Sequence, residues 1–126
     1  MSAIRNRRQI ERRIRHTVDR LVEAMQLEWL DIYLLFDEDG DRQVIAKSVC
    51  DFQYRRVSIT WTLAEVAVLT DAELRATALH ELVHALLAPL WSSHPGQGKR
   101  SVQMLNELAT ENVSRAVLAI LTTESE

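Results

Sequence analysis

Hydrophobic residues near the start of the chain recur every three or four positions. The stripe consists of Ile10, Ile14, Val18, Leu21 and Met25. This spacing is typical of the apolar face of an amphipathic α-helix. Most of the arginines in the same segment fall on the other faces of the helical wheel. We therefore predict a basic amphipathic helix within residues 1–28, with its helical pattern over residues 4–27.

Three short segments between residues 29 and 61 have the character of β-strands. Residues 30–36 form an apolar run that is too short for a typical helix, and residues 55–61 alternate between polar and apolar positions. Residues 44–50 follow a turn at Asp37–Asp41 and indicate a returning strand. We expect a hairpin between the first two segments and a small, three-stranded, mostly antiparallel sheet.

A strong helix is predicted over residues 71–88, within a helical region that spans residues 62–90. Pro89 is expected to help end it, because proline lacks the backbone donor that continues a helix. In a capping box, a threonine and a glutamate three residues later bind the free amide groups at a helix start. The sequence has this pattern at two places, Thr62 with Glu65 and Thr70 with Glu73.

The remainder of the chain predicts one loop and one helix. Residues 91–100 contain two of the three glycines and indicate the loop, and Ser101 can cap a last helix over residues 101–122. The elements together predict an α+β fold that forms a single domain over residues 1–126.

The middle helix carries the sequence His80-Glu81-Leu82-Val83-His84, an HExxH motif. Histidines four residues apart lie about 40° apart around a helix axis and one turn apart along it, so both imidazoles can ligate one ion. Imidazole is a common zinc ligand, and zinc lowers the pKa of a bound water. Glu81 lies at the edge of the same face, where it can accept a proton from that water. The alternative is a pair of core histidines that are hydrogen-bonded to the backbone.

A catalytic zinc takes three protein ligands and a water, so the motif needs one more donor. Glu107 and Glu111 lie four residues apart on the last predicted helix. Either carboxylate can cross to the ion, and the other can then hold a ligating histidine by a hydrogen bond. His94, in the predicted loop, is an alternative ligand. An exposed acidic helix face would explain both glutamates without a metal.

The segment TALHELVHAL, residues 77–86, resembles the active-site signature of the zincin metallopeptidases. The segment NELATE, residues 106–111, resembles the glutamate helix of the gluzincins, and HELVHALLAPL is most similar to small metallopeptidase-like proteins of bacteriophages and prophages. The resemblance covers roughly residues 50–121. It implies a minimal zincin-like domain with Glu107 as the third zinc ligand and Glu111 as its support. Gluzincins of this type often have aspartate at the latter position, so the two roles could be exchanged.

The resemblance also implies an activity and a place for the substrate. It indicates zinc-dependent hydrolysis of peptide bonds, with Glu81 as the general base, in a phage-infected or prophage-bearing bacterium. The single cysteine and the lack of a secretory signal or a span-length apolar run favour the cytoplasm. A strand borders the cleft in zincin-like folds, so we expect a peptide or protein substrate to pair with the Arg55–Trp61 strand. Tyr54 and His94 are candidates for the group that stabilises the oxyanion.

The charge distribution suggests an alternative function. The 126 residues carry a net charge of −3, but the first 20 residues hold seven arginines and only two acidic residues. This basic segment could contact nucleic acid or an acidic protein in a regulatory module whose zinc is structural or absent. A solvated helix face is the simpler interpretation. The single cysteine excludes a multi-cysteine zinc site, and no apolar run has the length of a membrane span.

Overall fold

The computed structural model of the chain describes residues 6–38, 44–51, 54–92 and 99–124. Within these ranges the predicted α+β class is confirmed, and helices and strands follow one another in the predicted order. The elements are α1 (Arg7–Ala24), β1 (Asp31–Asp37), β2 (Ala46–Asp51), β3 (Arg56–Thr62), α2 (Leu63–Val66), α3 (Asp71–Ser92) and α4 (Lys99–Glu124).

The three strands form a mixed sheet, and the prediction of a mostly antiparallel one is wrong. Strand β3 lies in the centre, parallel to β1 and antiparallel to β2. The hairpin therefore joins β2 to β3, and the predicted hairpin between the first two strands is also wrong. Burial accounts for the order, because Val57, Ile59 and Trp61 of β3 are almost completely buried. The inward side chains of β1 and β2 are only half-buried, so these strands form the edges.

Helix α1 packs against α3 through the predicted apolar stripe. Ile14, Val18 and Leu21 are buried in the core, and Ile10 and Met25 are partly buried beside it. These side chains join the core that β3 and α3 form. The predicted helix within residues 1–28 is confirmed over Arg7–Ala24, and residues 1–5 lie outside the described part.

Only one of the two predicted capping boxes forms. The amide of Glu73 donates to the Thr70 hydroxyl at 3.1 Å, and the amide of Thr70 donates to the Glu73 carboxylate at 2.9 Å. These two contacts lower the pKa of Glu73. Thr62 makes no such bond with its side chain. It is the last residue of β3, and its backbone amide donates to the carbonyl of Ile45 across the sheet.

The two long helices extend further than the sequence predicts. Helix α3 continues through Pro89 to Ser92 instead of ending at residue 88, and α4 begins at Lys99, so Ser101 lies inside it rather than at its cap. Pro89 lacks the amide that would continue the bonding pattern, and the helix ends three residues later, at Ser92. Of the predicted loop over residues 91–100, both ends are therefore helical, and residues 93–98 lie outside the described part.

Replacing Ile59 by alanine is expected to destabilise the protein by about 2–5 kcal/mol, because the substitution leaves a cavity in the centre of the core. Ile59 is 0% exposed on the central strand. The measurement is the free energy of unfolding from a urea titration. Val49→Ala is the matched control, because Val49 points to solvent on the neighbouring strand and is 63% exposed. A loss for Ile59→Ala as small as that of the control would contradict this description of the core.

None of the helices in the described ranges combines the length and hydropathy that a membrane span requires.

Candidate metal centre

The two histidines of the HExxH motif lie at the border between the core and a surface cleft. On α3, Leu79, Leu82 and Val83 are fully buried and fix the rotation of the helix. The side chains of His80 and His84 are 26% and 17% exposed. Their ring centroids are 4.7 Å apart, with the ring planes at 84°. Both imidazoles are thus mostly buried and in edge contact with each other.

Helix α4 packs against α3 and brings Glu107 over the two histidines. One carboxylate oxygen lies 3.2 Å from Nε2 of His84, and the other lies 3.8 Å from Nε2 of His80. One ligand atom from each of the three residues lies within 4.8 Å of those of the other two. The three predicted ligands therefore lie close enough together to hold a metal ion.

The donors lie near the spacing that a bound zinc would require. Zinc bonded to nitrogen and oxygen at 2.0–2.1 Å separates neighbouring ligand atoms by about 3.3 Å. One oxygen of Glu107 is 3.2 Å from His84 and the other is 3.8 Å from His80, and the three ligand atoms lie within 4.8 Å of one another. Two imidazoles and one carboxylate also form a donor set that zinc accepts, with a coordination position left open.

Glu111 lies one turn further along α4, beside the first histidine. Its carboxylate is 3.5 Å from Nδ1 of His80, on the side of the ring away from Glu107. A carboxylate there favours the tautomer with the proton on Nδ1, which leaves the Nε2 lone pair for a metal. The other oxygen of Glu111 accepts a hydrogen bond from Nε of Arg115 at 2.9 Å.

Thr110 has the corresponding position at the second histidine, and sequence reasoning missed it. Its hydroxyl is 3.2 Å from Nδ1 of His84 and donates to the side-chain oxygen of Asn106, also at 3.2 Å. With its proton donated to Asn106, the Thr110 oxygen can accept from Nδ1–H of His84. That tautomer leaves the Nε2 lone pair, on the side of Glu107, available to a metal. The only sequence signal was the position of Thr110, four residues after Asn106 on the face that carries Glu107.

Replacing Thr110 by valine is expected to weaken zinc binding about 10–100-fold, because the orienting hydrogen bond to His84 is lost. The measurement is a competition titration against a chelating zinc indicator. Thr110→Ser is the matched control, since serine retains the hydroxyl and is expected to keep most of the affinity. Thr110 is fully buried, so the thermal midpoint of each variant should be measured first. Equal affinity for the valine and serine variants would contradict the role of the hydroxyl.

Glu81 is buried between α3 and β2, with 8% of its surface exposed. Burial raises the pKa of its carboxyl group, and a hydrogen bond from the Ser48 hydroxyl and the nearby His84 and His80 partly offset this effect. A carboxylate in such surroundings is a better proton acceptor than an exposed one. Ser48 lies on the inward face of β2, and no signal in the sequence pointed to its role.

A cleft with a volume of about 430 Å³ opens beside the two motif residues His80 and Glu81. Its floor is α3, one wall is the start of β2 and the residues before it, and the other wall is the middle of α4. The lining residues are Val44, Ile45, Ala46, Ala76, Thr77, Leu79, His80, Glu81, Glu111, Ser114, Arg115 and Leu118.

The strand that borders this cleft is β2, and not the Arg55–Trp61 strand that was predicted. The latter strand is central and pairs on both sides. The Ile45 carbonyl accepts a hydrogen bond from the amide of Thr62, so the backbone of residue 45 faces β3. In an antiparallel pair, successive residues face the partner strand and away from it in turn. The backbone groups of Ala46, Ser48 and Cys50 therefore point away from β3. In the described part of the chain, no strand pairs with this outer edge of β2.

The other candidates from the sequence are His94 and Tyr54, and the described part of the chain also holds Cys50 near Glu81. His94 lies outside the described residues. Tyr54 lies at the opposite end of β2, where it is 59% exposed and does not line the cleft. Burial raises the pKa of the Cys50 thiol, and the charge of Glu81 raises it further. A protonated thiol is a poor nucleophile, so cysteine catalysis is disfavoured.

Several arginines of the basic segment are engaged within the protein. Three of them hold α1 against its neighbours. The contacts are those of Arg7 with Glu11 and Glu38, of Arg13 with the carbonyls of Val66 and Leu69 and the carboxylate of Asp71, and of Arg15 with the ring of Phe36. Some arginines of the basic segment thus have a structural role within the protein. Nucleic-acid binding through Arg5, Arg7, Arg8 and Arg12 stays a prediction.

Comparison of the chain with protein-family models, curated proteins and solved structures finds no match.

Proposed function

We propose that this protein is a zinc-dependent metallopeptidase of the zincin type. The observation that carries the proposal is the convergence of His80, His84 and Glu107, whose ligand atoms lie within 4.8 Å of one another, beside the buried carboxylate of Glu81. A purely structural site has no use for a desolvated carboxylate at the border of an open cleft. The resemblance of HELVH and NELATE to gluzincin segments supports the same function.

Each residue of the candidate site has a separate role in the proposed reaction. A bound zinc ion would supply Lewis-acid polarisation of the scissile carbonyl and a more acidic water. Glu81 accepts the proton of the attacking water and passes it to the leaving amine. Ser48 holds the Glu81 carboxylate, while Glu111 and Thr110 fix the tautomers of His80 and His84.

The open edge of β2 is the proposed binding site for the substrate backbone. An extended peptide can add to an exposed strand through main-chain hydrogen bonds, which contribute affinity with little dependence on sequence. Ala46, whose backbone groups point away from β3, lines the same cleft as His80 and Glu81. A peptide paired with this end of β2 would enter the cleft beside His80 and Glu81.

The direct test is a zinc titration of the purified full-length chain. After chelation and repletion, we expect one zinc ion per chain by plasma mass spectrometry, with an affinity that is unchanged by moderate salt. A chain that takes up no zinc after repletion would exclude the proposed function. The alternative, a module that binds DNA without catalysis, predicts salt-sensitive retention on DNA that is lost when Arg8 and Arg12 are neutralised.

A further inference from the structure

The cleft extends beyond the candidate metal centre along α4. Ser114 and Arg115 lie one turn after Glu111, and both line the cleft. They occupy the end of the cleft that is distant from Glu107. The proposed chemistry requires neither residue. The Arg115 side chain is 77% exposed, whereas Ser114 is buried.

Arg115 is held at the rim by a carboxylate that also contacts a candidate ligand. Its Nε donates to one oxygen of Glu111 at 2.9 Å, and the other oxygen is 3.5 Å from Nδ1 of His80. The guanidinium is thus separated from the metal centre by a single carboxylate and one imidazole. Within the described chain, its two terminal nitrogens form no hydrogen bond. They form the planar edge that binds a carboxylate in a bidentate manner.

Ser114 supplies a second donor at greater depth. Its side chain is 7% exposed, and among the described residues its Oγ has no hydrogen-bond partner. A buried hydroxyl without a partner is costly, and a ligand that accepts its proton would remove this cost. The hydroxyl of Thr77, in the same cleft, already donates to the carbonyl of Glu73.

The remaining walls of this part of the cleft are apolar. Ala76, Leu79 and Leu118 complete the lining around the two donors. A group that fits here has an apolar body and an oxygen acceptor with negative charge. Of the acceptors in the cleft, Glu81 lies at the metal centre, and Glu111 lies between His80 and the Nε of Arg115.

We propose that Arg115 and Ser114 bind a carboxylate of the peptide substrate, and that the protein selects substrates with such a group near the scissile bond. This inference rests on the proposed peptidase function. The contacts from His80 through Glu111 to Arg115 measure 3.5 and 2.9 Å, and an extended chain rises about 3.3 Å per residue, so the carboxylate is expected within a few residues of the reacting carbonyl. The carboxylate can be the C-terminus of the substrate or the side chain of an acidic residue.

The test measures peptide binding by the zinc-loaded Glu81→Gln variant, which is expected not to cleave its ligands. The probes are acetylated hexapeptides of alanine and leucine. One set ends in a free carboxylate, and a neutral set ends in an amide. A third set also ends in an amide and carries a single glutamate, placed at each position in turn. Isothermal titration gives the dissociation constant of each. We expect at least one carboxylate-bearing series to bind about tenfold or more tightly than the neutral amide. Preference for the free acid identifies a C-terminal carboxylate, and preference for one glutamate position identifies a side chain.

Two further variants and a control assign the preference to the proposed residues. Arg115→Gln is expected to reduce the ratio between charged and neutral peptides to about one, and Ser114→Ala to reduce it severalfold without loss of thermal stability. Arg12→Gln, on the exposed side of α1 and outside the cleft, should retain the full ratio.

The outcomes separate this inference from the function on which it rests. A ratio near one in the parent protein, a full ratio in Arg115→Gln, or no binding of any probe would overturn the carboxylate site. If zinc binds while the peptides bind without preference, the peptidase proposal stands and the carboxylate site fails. If the preference is present in a chain that takes up no zinc, the carboxylate site stands and the peptidase proposal fails.

Discussion

Glu81→Gln should lower the rate of peptide hydrolysis by a factor of about 10²–10⁴ and leave zinc binding and folding intact. General-base catalysis by a positioned carboxylate contributes an effect of about this size. Glutamine occupies the same volume and can still accept the hydrogen bond from Ser48. Because burial disfavours the charged form of Glu81, the neutral amide should not destabilise the fold. The rate is measured on peptides that the wild-type protein cleaves in a mixed library, quantified by mass spectrometry.

The matched control for this experiment is Glu23→Gln, which removes an exposed carboxylate on α1, away from the cleft, and should retain the wild-type rate. Zinc content and thermal midpoint are measured on both variants. A Glu81→Gln protein that contains zinc and cleaves peptides at the wild-type rate would exclude Glu81 as the base. If Glu81→Gln instead lost zinc, its role would be that of a ligand.

His84→Ala should remove stable zinc binding, with a loss of affinity of roughly a hundredfold or more. Loss of a direct ligand should exceed the 10–100-fold effect that is typical of a residue that only orients a ligand. The substitution leaves His80 and Glu107, and two ligands rarely retain zinc against dialysis. Zinc content after dialysis and the affinity from competition titration give the result. His80→Ala should behave in the same way.

His16→Ala serves as the control for these substitutions. His16 is exposed on α1 and lies outside the candidate metal centre, so its loss should not change the zinc content. Equal zinc binding by His84→Ala and His16→Ala would rule out the proposed ligand set. Glu107→Gln tests the third ligand in the same assay, and Glu111→Gln is expected to have the smaller effect of an orienting residue.

The parts of the fold that could be predicted are those with local signals. The stripe of Ile14, Val18 and Leu21 repeats with the helical period, and the capping box at Thr70 lies within a few residues of the helix that it starts. The sheet order could not be predicted in this way, because strand pairing joins distant segments. The turn residues at Asp37–Asp41 suggested a hairpin, but the apolar side chains of β3 take the central position because they bury the most surface.

The candidate site was predictable to the same extent. The histidines and Glu107 follow fixed helical spacings, so their convergence requires only that α3 and α4 pack side by side. Ser48 and Thr110 were missed because their roles depend on the distance between two elements and not on a spacing within one. A lone serine or threonine is too common in sequences to indicate such a contact.

The inward side chains of β2 are small, namely alanine, serine and cysteine at positions 46, 48 and 50, and its outward side chains include Lys47 and Asp51. Small residues let the strand approach α3 closely. Charged residues on the outer face discourage a second copy of the protein from docking edge to edge, as such residues do on many exposed strands. The outer edge of β2, which no strand of the described ranges covers, can therefore stay open while these charges limit edge-to-edge aggregation.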